Sequence, residues 1–438
     1  MRTNVGTSIA FGIIIGTLSA PAWARSGDPD PYFATHGIAS LHFSSPILPV
    51  VEPIVVDQRN RIVFGVSTTD GDFVYALNAN GAIDTSFFCV TLDQYVVDVK
   101  IDSHNRIVVT ELDDSGASLG IRVARYTDSG DIDATFAGIG YVILSLPHED
   151  IVADAMALDS DDAIVIVGTE PSEPTSGDSR ILLAKIDSDG KPDPAFGGRG
   201  LVSLSLLAAG TEQSYGTSVA IGLHHDIVVT GYSRLPTRVV VDDIAKLTRD
   251  GVLDPSFGHG AGFVQTDALS AMPAPRYSFS ESVAIDSRGN IVTSGFAGLW
   301  SDFSSEFFVA RYASDGTPDI TFNAGAPKLF NAATFTTGQA ATVLIDGRDR
   351  IVVSGVTASD AKAPNQLAIF RMNDDGSADT TFGDHGGYQL LSDHATGGRT
   401  AFAHGGDIVI IGNTDDGAAL IVEKRIGYDV PPIMPPDH

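Results

Sequence analysis

Three carboxylates, Glu52, Asp154 and Glu281, stand at the same position of an internal repeat, where other copies carry Val97, Thr217, Ala341 and Gly398. Two residues earlier come Val50, Tyr95, Val152, Tyr215, Phe279, Gln339 and Thr396, so three aromatics (Tyr95, Tyr215, Phe279) stand over three acids. One step deeper are Asp98 and Arg399. A flat aromatic face beside carboxylate acceptors suits a sugar, and clustered carboxylate oxygens suit a hard divalent cation such as Ca2+. Two carboxylates within reach of one substrate could also share acid and base work on a glycosidic bond. The plainer alternative is a set of residues at strand starts, solvated at a channel mouth. No cofactor is otherwise evident.

These residues have to be positioned by a repeat whose mark is Gly-x-x-Asp-x-x-Phe. It reads Gly27-Asp30-Phe33, Gly81-Asp84-Phe87, Gly130-Asp133-Phe136, Gly190-Asp193-Phe196, Gly251-Asp254-Phe257, Gly316-Asp319-Phe322 and Gly376-Asp379-Phe382, at intervals of 49 to 65 residues. A period that long signals a repeat architecture. In the copy 282–330, the runs Val283–Asp286, Ile291–Phe296, Phe307–Tyr312 and Pro327–Phe330 are short, rich in β-formers and bounded by Gly, Asp, Asn and Ser. Four strands per copy, without a helical period, describe one blade of a β-propeller. The Gly supplies the positive φ of a tight turn, the Asp bonds nearby backbone N–H groups, and the Phe is expected between blades. Oxygens such as those of Asp187, Asp189 and Asp193 also invite a calcium-loop reading, but that stretch lacks the acidic ligand such a loop needs at its far end.

Residues 1–24 read as a secretory signal peptide: Arg2, an apolar core over Val5–Leu18, and Ala22-Trp23-Ala24 as the cleavage site. A half-copy, 26–43, supplies the signature and one strand. Six full repeats span 54–391, and 399–426 offers three strands without a signature. The expected fold is therefore all-β: a seven-bladed β-propeller of four-stranded blades over 25–427, its last blade completed three-plus-one by the N-terminal strand. Closure removes exposed sheet edges. The tail 428–438 is Pro-rich.

The strand pair around Ile285-Asp286-Ser287-Arg288-Gly289-Asn290-Ile291-Val292, then Val309-Ala310-Arg311-Tyr312 with Asp315-Gly316, and Leu253-Asp254-Pro255-Ser256-Phe257-Gly258 resemble the delta-60 repeat family of bacterial propeller-like repeats. The resemblance covers nearly all of the chain after residue 24. It implies a secreted or surface propeller and carries over no catalytic residues. The copy with Phe87-Phe88-Cys89 departs from the pattern, so an irregular blade is expected there.

The formal charge of −28 argues against nucleic acid and anionic membrane as partners. The expectation is an acidic, exported monomer, periplasmic or extracellular, with a protein or glycan partner and no membrane span after signal cleavage. Cys89 stands alone, so no intramolecular disulfide can form. The loops after strands one and three are short and repetitive, whereas those after strands two and four vary (169–179, 206–216, 234–243, 267–280, 298–306, 331–338, 357–366, 393–399). The variable face is the candidate face. His36 and His385 read as turn residues, and His224-His225 falls on the repetitive face. His148-Glu149-Asp150 has no nucleophile beside it, and Trp300 with Phe303, Phe307 and Phe308 reads as partly buried against the blade, the alternative being an exposed contact patch. No Gly-x-Ser-x-Gly elbow leading into a helical pattern, and no His-Glu-x-x-His or Cys-x-x-Cys, occurs. A binding scaffold acting through the variable face and channel mouth is favoured. The alternative is a hydrolase or lyase acting there on a carbohydrate or ester.

Overall fold

A computed structural model describes residues 25–427 except 44, 48–52, 88–89, 93–94, 117, 147–149, 172–178, 205, 207–212, 238, 271–275, 301–304, 331–336, 360–362, 385, 394 and 415. Glu52, Cys89, His148, Glu149, Phe303 and His385 lie outside the described residues, as do 1–24 and 428–438.

Each repeat folds into an antiparallel four-stranded sheet with its strands in sequence order. Blade five comprises Arg276–Ile285, Ile291–Leu299, Ser305–Tyr312 and Lys328–Phe330. Blade seven joins Ala395–Phe402, Ile408–Thr414 and Ala419–Arg425 to the N-terminal strand Ile38–His42. First strands of successive blades neighbour one another around the ring, and that of blade seven packs back on Ile54–Val56 of blade one. The protein is a seven-bladed β-propeller closed three-plus-one, as its repeats predict. The seam is a full ladder, from Ile38 opposite Glu423 to His42 opposite Ala419, continued by the Gly27 amide donating to the Ile426 carbonyl at 2.7 Å.

Apolar side chains on both faces of the second and third strands are buried, so the core lies between blades. One layer joins Val228, Ile244 and Phe257 of blade four to Val283, Ile291 and Phe308 of blade five. Every signature Phe is buried in such a layer, each burial contributing about 1.5–3 kcal/mol.

The signature also links blades. In five copies the residue after the Phe donates its amide to the carbonyl before the next signature Gly, among them Ala137 to Asp189 at 2.7 Å, Gly258 to Asp315 at 2.9 Å, and Gly383 to Ser26 at 2.9 Å across the closure. Glycine is needed twice over. Gly316 has φ +87°, and a Cβ there would sit 2.9 Å from the Phe257 ring.

One oxygen of each signature Asp takes an amide two residues on, as Asp133 does from Thr135 at 3.0 Å. In six copies the other holds a basic residue of the third strand, as with Arg125 at 2.8 Å from Asp133, and Arg371 at 2.8 Å from Asp379 with its guanidinium 4.5 Å from the Phe382 ring; Asp84 instead takes Arg61, just before the second strand, at 2.9 Å. That basic partner is absent from the sequence reading. The oxygens of the calcium-loop candidate are spent likewise: Asp187 accepts from the amides of Asp189 (3.0 Å) and Lys191 (2.8 Å), and Asp193 pairs with Lys185 at 3.2 Å.

Candidate functional site at the channel mouth

The inner strand of blade five begins at Arg276, where the sequence suggests a loop as far as Ser280. A β-bulge hides the strand. Ser280 and Glu281 together oppose Gly295, after which the pairing resumes at Ser282 with Ser294. A bulge breaks the two-residue alternation by which strands are read, and it re-aims the extra side chain. The same shift occurs in blades two to seven, at Val97, Asp154, Thr217, Glu281, Ala341 and Gly398. These are the positions aligned from sequence. In blades three to seven the second strand makes room with a glycine opposite: a Cβ on Gly295 would stand 1.9 Å from the Phe279 carbonyl, and one on Gly168 at 1.9 Å from that of Val152.

A cavity of about 810 Å3 opens among these strands. Its walls bring together Asp154 of blade three, Thr217 of blade four, Phe279 and Glu281 of blade five, and Arg399 of blade seven, with Trp300, Gln339, Asn365 and Thr396 around the rim. The inner strand ends at the short Asp286–Asn290 turn, so its beginning and the Trp300 loop share the variable face.

Aromatic rings form a continuous wall. The Phe279 ring centroid is 5.1 Å from that of Phe296, its cross-strand partner, and 5.5 Å from that of Tyr277. Tyr277 lies 4.8 Å from Trp300, which remains 41 % exposed. Behind the wall, Tyr215 stacks on Tyr232 at 4.9 Å, and Tyr232 meets the edge of Phe279 at 4.7 Å. Thr217 donates its hydroxyl to the Ser280 carbonyl at 2.7 Å, tying the two inner strands together.

The two acids of the cavity have no hydrogen-bond partner among the described residues. Burial raises the Asp154 carboxyl to about 7 against the opposing charge of Arg399. Burial raises Glu281 to about 7 as well, Arg399 opposing and the charge of Asp154 adding to the rise. The Nε of Arg399 is itself buried without a partner. Burial, with Arg234 opposing it, pushes the Tyr232 hydroxyl up to about 12, so that ring stays a neutral wall.

The structure therefore gathers Asp154, Phe279, Glu281 and Arg399 on one cavity and puts Tyr215 behind it. It does not bring in the two blade-two candidates. Tyr95 does not line the cavity. Asp98, expected one step deeper in the mouth, is a buried tie instead: it accepts from the amides of Val99 (2.8 Å) and Met156 of the next blade (2.9 Å), and from Lys100 Nζ at 2.7 Å. Ser282 makes the same tie to the Val343 amide at 3.0 Å.

Of the Trp300 group, Phe307 and Phe308 are buried in the core between blades, whereas Trp300 stays partly exposed. Tyr277 and Phe296 were missed. The available signal was the Gly-aromatic pair at one position of two second strands, Gly231-Tyr232 and Gly295-Phe296.

A hard cation such as Ca2+ wants several oxygen ligands. Here two carboxylates share their space with a guanidinium, a donor set better matched to a neutral polar ligand. Ligand atoms of Asp102, His104 and Asp162 lie within 4.8 Å of one another, but Arg106 already pairs with Asp102 at 2.6 Å, and Ser103 donates to Asp162 at 2.7 Å. Ser287 and Asp349 repeat that tie at 2.6 Å without a histidine, so the cluster is a link between neighbouring turns. His225, 2.7 Å from Asp159, is another such link.

A family model described as "Domain of unknown function (DUF5122) beta-propeller" matches residues 349–382, the stretch from the second strand to the signature of blade six. No curated protein matches the chain in sequence. Among solved structures the chain is similar to polysaccharide lyase Uly1, with TM-score 0.51 at 11 % identity over 93 % of this chain and 97 % of that one. It is also similar to a PL25 ulvan lyase (TM-score 0.49, 9 % identity, 88 % and 95 % covered) and to a protein of unknown function from Dyadobacter fermentans (TM-score 0.44, 10 %, 89 % and 98 %). At such identities the likeness is one of fold. The chain carries the pattern of a β-propeller repeat family.

Proposed function

We propose that this chain is an exported propeller of the delta-60 repeat class whose channel mouth binds a saccharide. The observation that carries the reading is the composition of one cavity: a wall of Tyr277, Phe279 and Trp300 beside unpartnered carboxylates, with Gln339 and Asn365 on the rim. Sugars present apolar C–H faces and a fringe of hydroxyls, so they bind where an aromatic plane meets acceptors and amides. The −28 charge opposes polyanions such as nucleic acid. The uneven loops around the mouth supply the selectivity expected of irregular segments on a rigid ring.

The test is isothermal titration of the mature chain with oligosaccharides of a neutral β-glucan, a xylan and a polyuronate. One class should bind, and Trp300→Ala should weaken it roughly tenfold, the loss of about 1.4 kcal/mol, without moving the melting temperature. Absence of binding to all three classes, or full binding by the Trp300 variant, would overturn the proposal.

A further inference from the structure

Resting on the saccharide reading, we infer that the mouth is also catalytic, with Glu281 as general acid and Asp154 as general base for hydrolysis of a glycosidic bond. Three features of the fold lead there.

The first is aim. Both carboxylates sit at bulge positions, two blades apart in the ring, and both line one cavity. Between them the bulge residue is Thr217, whose hydroxyl is engaged with backbone carbonyls. The acids thus flank a sector whose middle is held rigid by the protein itself.

The second is availability. The signature acids have their oxygens occupied by amides and basic side chains, whereas Asp154 and Glu281 have no hydrogen-bond partner among the described residues. Partly buried carboxylates without a partner are costly, and a binding site for a neutral sugar does not require two of them. An acid and a base do.

The third is the asymmetry of charge. Arg399 approaches from blade seven, and its field favours ionisation of both acids. Once Asp154 is ionised, its charge helps hold the proton on Glu281. One proton shared by two carboxyls is the state in which acid and base are present together.

In the step itself, Glu281 gives its proton to the bridging glycosidic oxygen as the bond from the anomeric carbon to that oxygen breaks. Asp154 takes a proton from water, whose oxygen forms the new bond to the anomeric carbon. The products are a hemiacetal and an alcohol. Glu281 is left ionised and Asp154 protonated, and exchange with solvent restores the pair. No co-reactant beyond water is needed.

The experiment follows new reducing ends, and incorporation of oxygen-18 from labelled water, on whichever of the β-glucan, xylan and polyuronate the mature protein binds. Wild type should cleave the bound polymer. Asp154→Asn and Glu281→Gln should each lose at least about a hundredfold in rate at saturating polymer, their folding checked by melting. Binding without cleavage, or equal cleavage by both variants, would overturn the catalytic assignment and leave the binding reading standing. A product ending in an unsaturated uronate, without oxygen-18, would replace hydrolysis by elimination. If no polymer binds, both readings fall.

Discussion

The two faces of the ring use the same chemical group in opposite ways. On the repetitive face a carboxylate such as Asp133 is partly desolvated, yet the Thr135 hydroxyl and amide and the Arg125 guanidinium hold it below the ordinary range. Asp84, Asp319 and Asp379 are held down in the same manner. At the channel mouth Asp154 and Glu281 are desolvated without those partners and rise to about 7. The difference is supply of donors: a bulge carries its side chain away from the ladder and from the turn that would satisfy it. One face is built to be stable, and the other retains unsatisfied groups that a purely structural role would not need.

The sharpest way to break this comparison is Asp379→Ala. Both Arg371, at 2.8 Å, and Arg350, at 3.1 Å, depend on that carboxylate, and the Arg371 side chain is almost wholly buried. Arg350 keeps Asp346 at 2.7 Å, so the loss falls on the buried Arg371 and should cost about 3–5 kcal/mol, read as a lower urea midpoint at pH 7 with an unchanged slope. A loss under about 1 kcal/mol would show that the pairing of signature Asp with a third-strand base adds little to stability.

The second prediction has the opposite sign. A carboxyl whose folded pKa is raised binds a proton that the unfolded chain has released, so its contribution to stability falls as pH climbs from about 4 to about 7. Asp154→Asn and Glu281→Gln should therefore each stabilise the fold at pH 8 by roughly 1–3 kcal/mol, and the gain should vanish near pH 4. For the signature acids the sign reverses: their stabilisation is present above about pH 4 and is lost as pH falls through their depressed values. Melting curves across pH separate the two groups, and a gain that persists in acid would remove the burial argument at the mouth.

Smaller effects sharpen the picture. Gly316→Ala meets both a positive φ and the Phe257 ring, for about 1–3 kcal/mol by the usual cost of a strained backbone position. Ser256→Ala removes only the hydroxyl that donates to Asp254 at 2.7 Å in an exposed turn. It should cost about 0.5–1.5 kcal/mol and leave saccharide binding unaltered.

Much of this was legible in the chain. The signature repeats because its chemistry is local: a Gly at positive φ, an Asp capping an amide two residues on, and a Phe one turn later need only their neighbours. Counting copies then predicted seven blades and the strand exchange at the seam. The site was legible for a related reason. Equivalent positions in a repeat share an orientation, so aligning Asp154 with Glu281 located the bulge residues without any knowledge of the bulge. Asp98 misled because a competing use was invisible: its oxygens go to Lys100 two residues on and to Met156 of the next blade. Phe296 was passed over because it faces the cavity only through its pairing with Phe279.

Turn type, strand count and ring closure follow from interactions a few residues long, repeated often enough to be read without coordinates. Membership of the cavity does not. Asp154, Glu281 and Arg399 are separated by more than a hundred residues at each step and meet only because the closed ring turns three inner strands toward one opening. Whether a carboxylate finds a donor is decided by whichever backbone or side chain the neighbouring blade presents to it. That tertiary fact made structural ties of the signature acids and Asp98, and left Asp154 and Glu281 without a donor among the described residues.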